Sequence, residues 1–306
     1  MRRPDMLNKS FAVAASAVFV AALTGCSVDS SAGPVSPADA AKASSAWVEI
    51  QQRKEEVSNL ETLIAKKCMK DAHYKVFPSP IKAIPDVVPE GTLSLTEGEA
   101  KKNGYRLSEV TGNPEKDDDD GNLEWENSTQ EYKKKYSVAY FGDDASSVSY
   151  SSPQGETSIS TTGCLAEARK TLYGDLERML RLGWIESNEL KPLVGKKVSA
   201  DPDLADVHKK WSSCMKEKNF QYGEPAQARK AVVSLYEKGE REKAKSQEME
   251  TALADAQCQQ VSGYVATYQA VEKKATGEVY GKKVEDIVAW RDMLIKAREN
   301  GLAALR

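Results

Sequence analysis

Histidine is almost absent from this sequence: only His73 and His208 occur among 306 residues. A structural zinc site needs four cysteine or histidine ligands, usually with closely spaced pairs among them. The four cysteines that follow residue 26 all lie more than 40 residues apart, so the sequence contains no such pair. It also contains no G-x-S-x-G, Walker or H-E-x-x-H motif, the patterns that position nucleophiles, phosphates or catalytic zinc. We therefore predict no zinc centre, no cofactor and no motif-borne catalytic residue.

Positive net charge and long apolar runs are also lacking. The formal net charge is −3, which argues against nucleic acid as a partner because proteins that bind it present a basic face. The apolar run Phe11–Leu23 is too short to span a bilayer, since a spanning helix takes about 20 residues. No second run of membrane length follows it. We expect a chain that does not span a membrane.

The N-terminal segment nevertheless indicates a membrane location. Arg2, Arg3 and Lys9 form a basic region before the apolar run, the pattern of a secretory signal peptide. The run ends in Leu23-Thr24-Gly25-Cys26, which resembles the bacterial lipobox. The resemblance implies cleavage after residue 25, a diacylglyceryl thioether on Cys26, and acylation of the new amino group by a fatty acid such as palmitate.

These features predict a lipid-anchored protein on the extracytoplasmic face of the cell membrane. Residues 1–25 are the predicted signal peptide, and residues 26–37 the predicted flexible tether, because they are rich in Ser, Gly, Ala and Pro. One acyl chain binds a bilayer only marginally, whereas two or more bind it stably. The membrane is therefore the first predicted partner.

Helical periodicity dominates after the tether. Ser36 and Pro37 are typical of a helix N-terminus, and an apolar stripe from Trp47 to Cys68 follows, which predicts that Cys68 is buried. Later stripes span residues 164–180, 204–215, 225–237, 241–268 and 284–295. We expect Gly277 and Gly281 to interrupt the helical region before the last stripe.

The middle of the chain is less regular. Prolines follow Tyr74 and end the first helix, and residues 77–162 show only two short helical patterns, at 96–103 and 130–140. Residues 146–162 are rich in serine with alternating apolar residues, which indicates either a weak strand pair or no regular structure. The predicted fold class is mainly α, with an irregular or partly β middle segment. We place the first half at residues 38–200 and the second at 201–306.

A duplicated motif suggests how the cysteines pair. Cys68 and Cys214 each begin Cys-Met-Lys, followed after three residues by an aromatic. Four cysteines allow three pairings, and an even number in an oxidising compartment is typical of disulfides. Because Cys164 and Cys258 share a second helical context, the order of contexts is A, B, A′, B′. This order favours the pairs Cys68–Cys164 and Cys214–Cys258, one in each half.

The second copy carries a further likeness. With a Trp three residues before it, Cys214–Tyr222 resembles an element of cell-surface lipoproteins from high-GC Gram-positive bacteria, and a helix like Ala254–Cys258 follows it there too. The first copy departs from the pattern, because Val76 replaces the final aromatic. Those lipoproteins are of unknown function, so the resemblance implies an envelope location and stapled helices but no activity.

Two weak candidate sites lie in the acidic segment 113–127. Asp117, Asp119 and Glu124 have the oxygen ligands that calcium takes, but the spacing does not match an EF-hand loop, so a solvated loop is the simpler interpretation. Trp125 is the only tryptophan outside an apolar helical stripe. Its exposure would make it a contact residue for a sugar or a protein.

The sequence favours a non-catalytic role, in binding or scaffolding at the cell envelope, with a protein or cell-wall material as partner. The alternative is an envelope hydrolase or peptidoglycan-modifying enzyme that uses carboxylates. A pocket with paired carboxylates beside aromatic rings would favour that enzyme, whereas an open helical surface with an apolar patch would favour the binding module.

Overall fold

A computed structural model describes residues 34–74, 95–107, 125, 127–143 and 145–306. The helices in these ranges are α1 (Pro37–Asp71), α2 (Glu97–Asn103), α3 (Gln130–Phe141), α4 (Gly163–Tyr173), α5 (Leu176–Trp184), α6 (Lys191–Ser199), α7 (Pro202–Glu217), α8 (Pro225–Glu237), α9 (Arg241–Ser262), α10 (Tyr264–Tyr280) and α11 (Val284–Ala304). A π-helical segment, Ile185–Leu190, joins α5 to α6, and a 3-10 turn, Gly281–Lys283, joins α10 to α11. The mainly α class is confirmed. None of the helices in the described ranges is both long and apolar enough to cross a membrane.

Side-chain caps fix where several helices begin. The Ser36 hydroxyl accepts a hydrogen bond from the amide of Asp39 at 3.0 Å, and Pro37 occupies the first turn, as the sequence predicts. Thr96 and Glu99 form a reciprocal capping box at the start of α2. Each cap satisfies amides that a helix leaves without an internal partner. The two helices that the sequence predicts in the middle segment are present as α2 and α3.

The serine-rich stretch is a two-stranded hairpin. β1 (Ser147–Ser152) pairs antiparallel with β2 (Gly155–Ser160), and Val148 lies opposite Ile159. The hairpin contacts the helical body through the indole Nε1 of Trp184, which donates to Ser152 Oγ at 3.1 Å. The strand-pair alternative for residues 146–162 is thus the one that the structure adopts.

The expected interruption at Gly277 is wrong. Gly277 lies inside α10, and the helical region is instead broken at Gly263, whose φ of 72° is left-handed. Gly277 is buried where α10 meets α1, and a Cβ there would approach Ser44 Oγ and Ala40 Cβ at 3.1 and 3.2 Å. Its glycine therefore allows two helices to pack closely instead of turning the chain. Gly281 does end α10, as predicted.

One core joins the early and late parts of the chain. α1 packs along α11 and also contacts α10 and α4. Ile50, Val57 and Leu60 of α1 share a buried cluster with Ile287 and Leu294 of α11. Residues 35–306 accordingly form one compact unit, in which the two stapled segments share a core.

Candidate functional site

Both predicted disulfides are present. Cys68 at the end of α1 is bonded to Cys164 of α4, and Cys214 of α7 is bonded to Cys258 of α9. Cys164 and Cys258 are buried. Cys68 is only half-buried, so the prediction of its burial is wrong: Met69, the next residue, points into the core in its place. The disulfides are therefore structural links between helices.

The duplicated motif is a cysteine followed by one type of helix end. In the first copy the amide of Tyr74 donates to the Met69 carbonyl, and the amide of His73 donates to the Lys70 carbonyl, both at 2.9 Å. In the second copy Phe220 and Asn219 make the same two bonds. This is the Schellman arrangement, which requires a left-handed residue after the helix. His73 and Asn219 have φ values of 62° and 67°, so the matched positions share a backbone conformation instead of a ligand role.

The aromatic residue of the first copy, Tyr74, belongs to a cluster of rings that is the candidate site. We call this cluster the aromatic surface, and its members are Tyr74, Trp125, Tyr132, Tyr136, Tyr140 and Phe141. Thr129 caps α3 by accepting from the amide of Tyr132 at 3.2 Å. Three tyrosines then follow four residues apart, which places them along one side of the helix. The helix end of α1 presents Tyr74 to this row.

Tyr136 is the centre of the aromatic surface. Its ring centroid lies 5.8 Å from Tyr74, 5.1 Å from Trp125, 6.3 Å from Tyr132 and 6.4 Å from Tyr140. These distances fall in the range where ring pairs attract each other beyond simple burial, by about 0.5–1.5 kcal/mol per pair. The rings therefore hold one another in position.

The aromatic surface stays partly open to solvent. No residue of α3 is fully buried, and Phe141, packed edge-on against Tyr140 at 4.8 Å, is 59% exposed. The Tyr140 pKa is raised by burial and by the nearby Glu61 carboxylate, so its hydroxyl stays protonated as a hydrogen-bond donor. Rings fixed by packing but accessible along one side are suited to contact a partner, because little side-chain entropy remains to be lost.

Trp125 is part of the aromatic surface, although in the sequence it lies outside any apolar stripe. It is half-buried, packs against Tyr136, and has the ammonium group of Lys133 5.7 Å from its ring centroid. The four-residue spacing of the tyrosines was a signal in the sequence that pointed to a ring stripe. The sequence could not show that Tyr74 joins that stripe from the end of a different helix.

Asp255 is the centre of a buried polar cluster on α9. It is fully buried and accepts hydrogen bonds, each 2.9 Å long, from the Tyr105 hydroxyl, the Trp211 indole and the Gln259 amide. Burial raises its pKa to about 6, although these hydrogen bonds favour the charged form. Two turns earlier on the same face, Glu248 accepts from the backbone amide of Leu107 at 2.7 Å. The cluster ties the segment 95–107 to α9.

Another buried carboxylate lies on the π-helical segment. Glu186 is fully buried and forms an ion pair with Lys54 of α1. It also accepts from the hydroxyls of Ser187 at 2.9 Å and Tyr280 at 3.3 Å. The widened π-helical turn directs Ile185, Glu186 and Leu190 inward. Like Asp255, Glu186 is engaged within the core and does not reach solvent.

The described part of the chain contains open grooves. The groove between α7 and α10, about 590 Å³, is lined by Asp201, Asp203 and Asp206 together with lysines and aliphatic residues. Aromatic rings are not part of this lining, so it lacks the combination that would favour a glycan-cleaving site. Within the described ranges, no three His, Cys, Asp or Glu side chains are grouped closely enough to hold a metal ion.

Several predicted sites fall outside the described residues. These are Cys26 and the weak cation ligands Asp117, Asp119 and Glu124. His208, in contrast, is described: its ring stacks on Tyr264 with centroids 5.5 Å apart.

Comparison with known proteins gives no further lead, since no protein-family model, curated protein or solved structure matches the chain.

Proposed function

We propose that this chain is a lipid-anchored extracytoplasmic protein that binds a component of the cell envelope through its aromatic surface. The observation that carries the proposal is the central Tyr136, surrounded by four rings that hold it half-exposed. Tyrosine and tryptophan dominate the energetics of binding surfaces because they combine a large apolar area with a polar group. The lipobox at Cys26 would place this surface outside the cytoplasm.

The competing hypothesis, a hydrolase that uses carboxylates, has less support. The most buried carboxylates, Asp255 and Glu186, are tied to groups of their own core. A general acid or base must come within hydrogen-bond reach of the group on which it acts. Binding without catalysis is therefore the better supported role.

The anchor is tested by fractionation. The full-length chain should sediment with membranes, and mass spectrometry should find acyl groups on Cys26. Cys26→Ala should move the protein out of the membrane fraction. A Cys26→Ala protein that stays membrane-bound would refute the anchor.

The binding role is tested by crosslinking on intact cells that make the full-length chain. Phe141→Ala and Trp125→Ala should each reduce recovery of the crosslinked envelope component by about fivefold or more, the effect of losing a contact of about 1 kcal/mol. Phe141 is largely exposed and its ring contact is with Tyr140, so its replacement should lower the unfolding midpoint only slightly. Val261→Ala, an exposed change on α9, is the matched control. Equal recovery from all three variants would contradict the proposal.

A further inference from the structure

The charge of α3 differs in sign from that of the whole protein. α3 carries three consecutive lysines, Lys133, Lys134 and Lys135, against a single acidic residue, Glu131. Its net charge is therefore +2, whereas the chain has a net charge of −3. A local positive charge on an acidic protein attracts anionic partners at short range, because salt screens the repulsion from the more distant negative charges.

Two of the three lysines lie beside the rings. Consecutive helical residues point about 100° apart, so Lys133 and Lys135 flank the tyrosine row, whereas Lys134 points to the opposite side of the helix. Lys133 lies over the Trp125 ring, while Lys135 pairs with Glu131 at 2.7 Å in an ion pair whose two side chains are 66% and 78% exposed. Such exposed pairs contribute little to stability. Lys135 can therefore transfer to an anionic partner at small cost.

The shape of the aromatic surface favours a linear partner. The rings form a row along α3 and continue to Tyr74 at the end of α1, and Val138 and Phe141 are the large apolar side chains of α3 that are exposed. A stable protein interface needs a broad apolar core. A sugar chain needs less, because the C–H faces of successive sugar rings pack on aromatic rings while its hydroxyls bond to tyrosine hydroxyls.

We infer that the partner of the aromatic surface is an anionic polysaccharide, whose sugar rings pack on Tyr132, Tyr136 and Tyr140 and whose carboxylate or phosphate groups pair with Lys135. The inference rests on the proposed function, because it names the class of envelope component that the surface binds. It explains why the rings and the lysines occur on the same short helix.

Calorimetry with defined polymers tests the inference. The mature lipidated chain in detergent micelles is titrated with polygalacturonate, with phosphomannan, with neutral dextran and with poly-glutamate. Polygalacturonate or phosphomannan should bind at least about tenfold more tightly than dextran and poly-glutamate, and the tighter of the two identifies carboxylate or phosphate as the anion. Lys135→Gln should weaken this binding about fivefold or more at low salt, and less at high salt. Lys134→Gln removes a charge from the opposite side of the helix, so it is the matched control and should leave the binding unchanged.

The remaining outcomes separate the two proposals. Equal binding of poly-glutamate would identify an acidic peptide as partner, and equal binding of dextran would remove the role of charge; either result overturns the inference. If Phe141→Ala and Trp125→Ala abolish crosslinking on cells but no polymer binds, the inference fails and the proposed function stands. If those variants leave crosslinking unchanged, the proposed function fails, and the inference with it.

Discussion

At the scale of single residues, two left-handed positions explain why the duplicated motif has a fixed length. The helix must end one turn after the cysteine, and the residue that ends it must tolerate positive φ. Asparagine and histidine are among the non-glycine residues that enter this region most often. His73 and Asn219 are thus interchangeable for the backbone although they differ in chemistry. The motif preserves a backbone shape, and the side chain at this position is free to vary.

Replacement of Asn219 tests this explanation. Asn219→Val should lower the free energy of unfolding by about 1–2 kcal/mol, the cost of a left-handed conformation for a branched residue, whereas Asn219→Gly should change it by less than about 0.5 kcal/mol. Glu217→Val, an exposed change inside α7, measures the ordinary cost of valine in a helix. Urea unfolding followed by circular dichroism makes the comparison. Equal costs for the two valine variants would contradict the assignment.

The Asp255 carboxyl predicts a pH dependence of stability. Its pKa is about 6 in the folded protein and 3.8 ordinarily, so the folded state binds more protons than the unfolded state between these values. The stabilising contribution is present below about pH 4 and is lost as the pH rises through 6. Asp255→Asn removes the titration. Its amide can donate to the Tyr105 hydroxyl while its oxygen accepts from Trp211 and Gln259.

Relative to the parent protein, the free energy of unfolding of Asp255→Asn should therefore rise by about 2 kcal/mol between pH 4 and pH 7. Urea titrations at both pH values measure this change. Asp255→Ala leaves the Tyr105 and Trp211 donors without their acceptor, so it should be less stable than Asp255→Asn at either pH. A difference between parent and Asp255→Asn that stays constant with pH would disprove the linkage.

At the scale of elements, local signals in the sequence predicted the starts of helices better than their interruptions. Ser36 caps α1 and Thr96 caps α2 through contacts within a few residues, and such contacts are visible in the sequence. The role of Gly277 depends on α1, more than 200 residues away. The meeting of Tyr74 with Tyr136 likewise depends on how α1 and α3 pack. Both therefore lay beyond pattern analysis, whereas the cysteine pairing was found because the motif is repeated.

The π-helical segment supplies the prediction at this scale. Lys54→Met would leave the buried Glu186 carboxylate with hydroxyl partners alone, and removal of one partner from a buried pair costs about 3 kcal/mol. Glu186→Gln should cost less, and combining the two changes should recover part of the loss. Lys197→Met is the matched control, because the pair between Lys197 and Glu278 is about half exposed and should be worth less than about 1 kcal/mol. Denaturant unfolding of the parent, the two single variants and the double variant gives the coupling energy between Lys54 and Glu186. Additive effects of Lys54→Met and Glu186→Gln would show that the two side chains do not stabilise the fold as a pair.

At the scale of the whole molecule, the chain passes twice through the same core. α1 is the longest helix of the described chain, and its partner along much of its length is α11, at the other end of the chain. Ion pairs accompany the apolar contact: Arg298 Nε lies 2.6 Å from Glu56 Oε2, and Arg291 Nη1 lies 3.8 Å from Glu49 Oε1. Each half of the chain thus buries apolar surface against the other.

This arrangement predicts that residues 201–306 do not fold cooperatively on their own. Without α1, the faces of Ile287, Leu294 and Ala297, which are buried in the full chain, would be open to water, at a cost of about 1.5–3 kcal/mol for each large side chain. The Cys214–Cys258 disulfide links α7 to α9 and restrains neither α10 nor α11. The isolated segment, oxidised, should therefore show rapid amide exchange in α11 and a broad thermal transition, whereas residues 35–306 unfold in a single transition. Adding a peptide of residues 35–74 should restore part of the protection in α11, because that peptide carries α1, which packs along α11. A sharp transition of residues 201–306 alone, at the midpoint of the longer chain, would instead establish the second half as an independent domain.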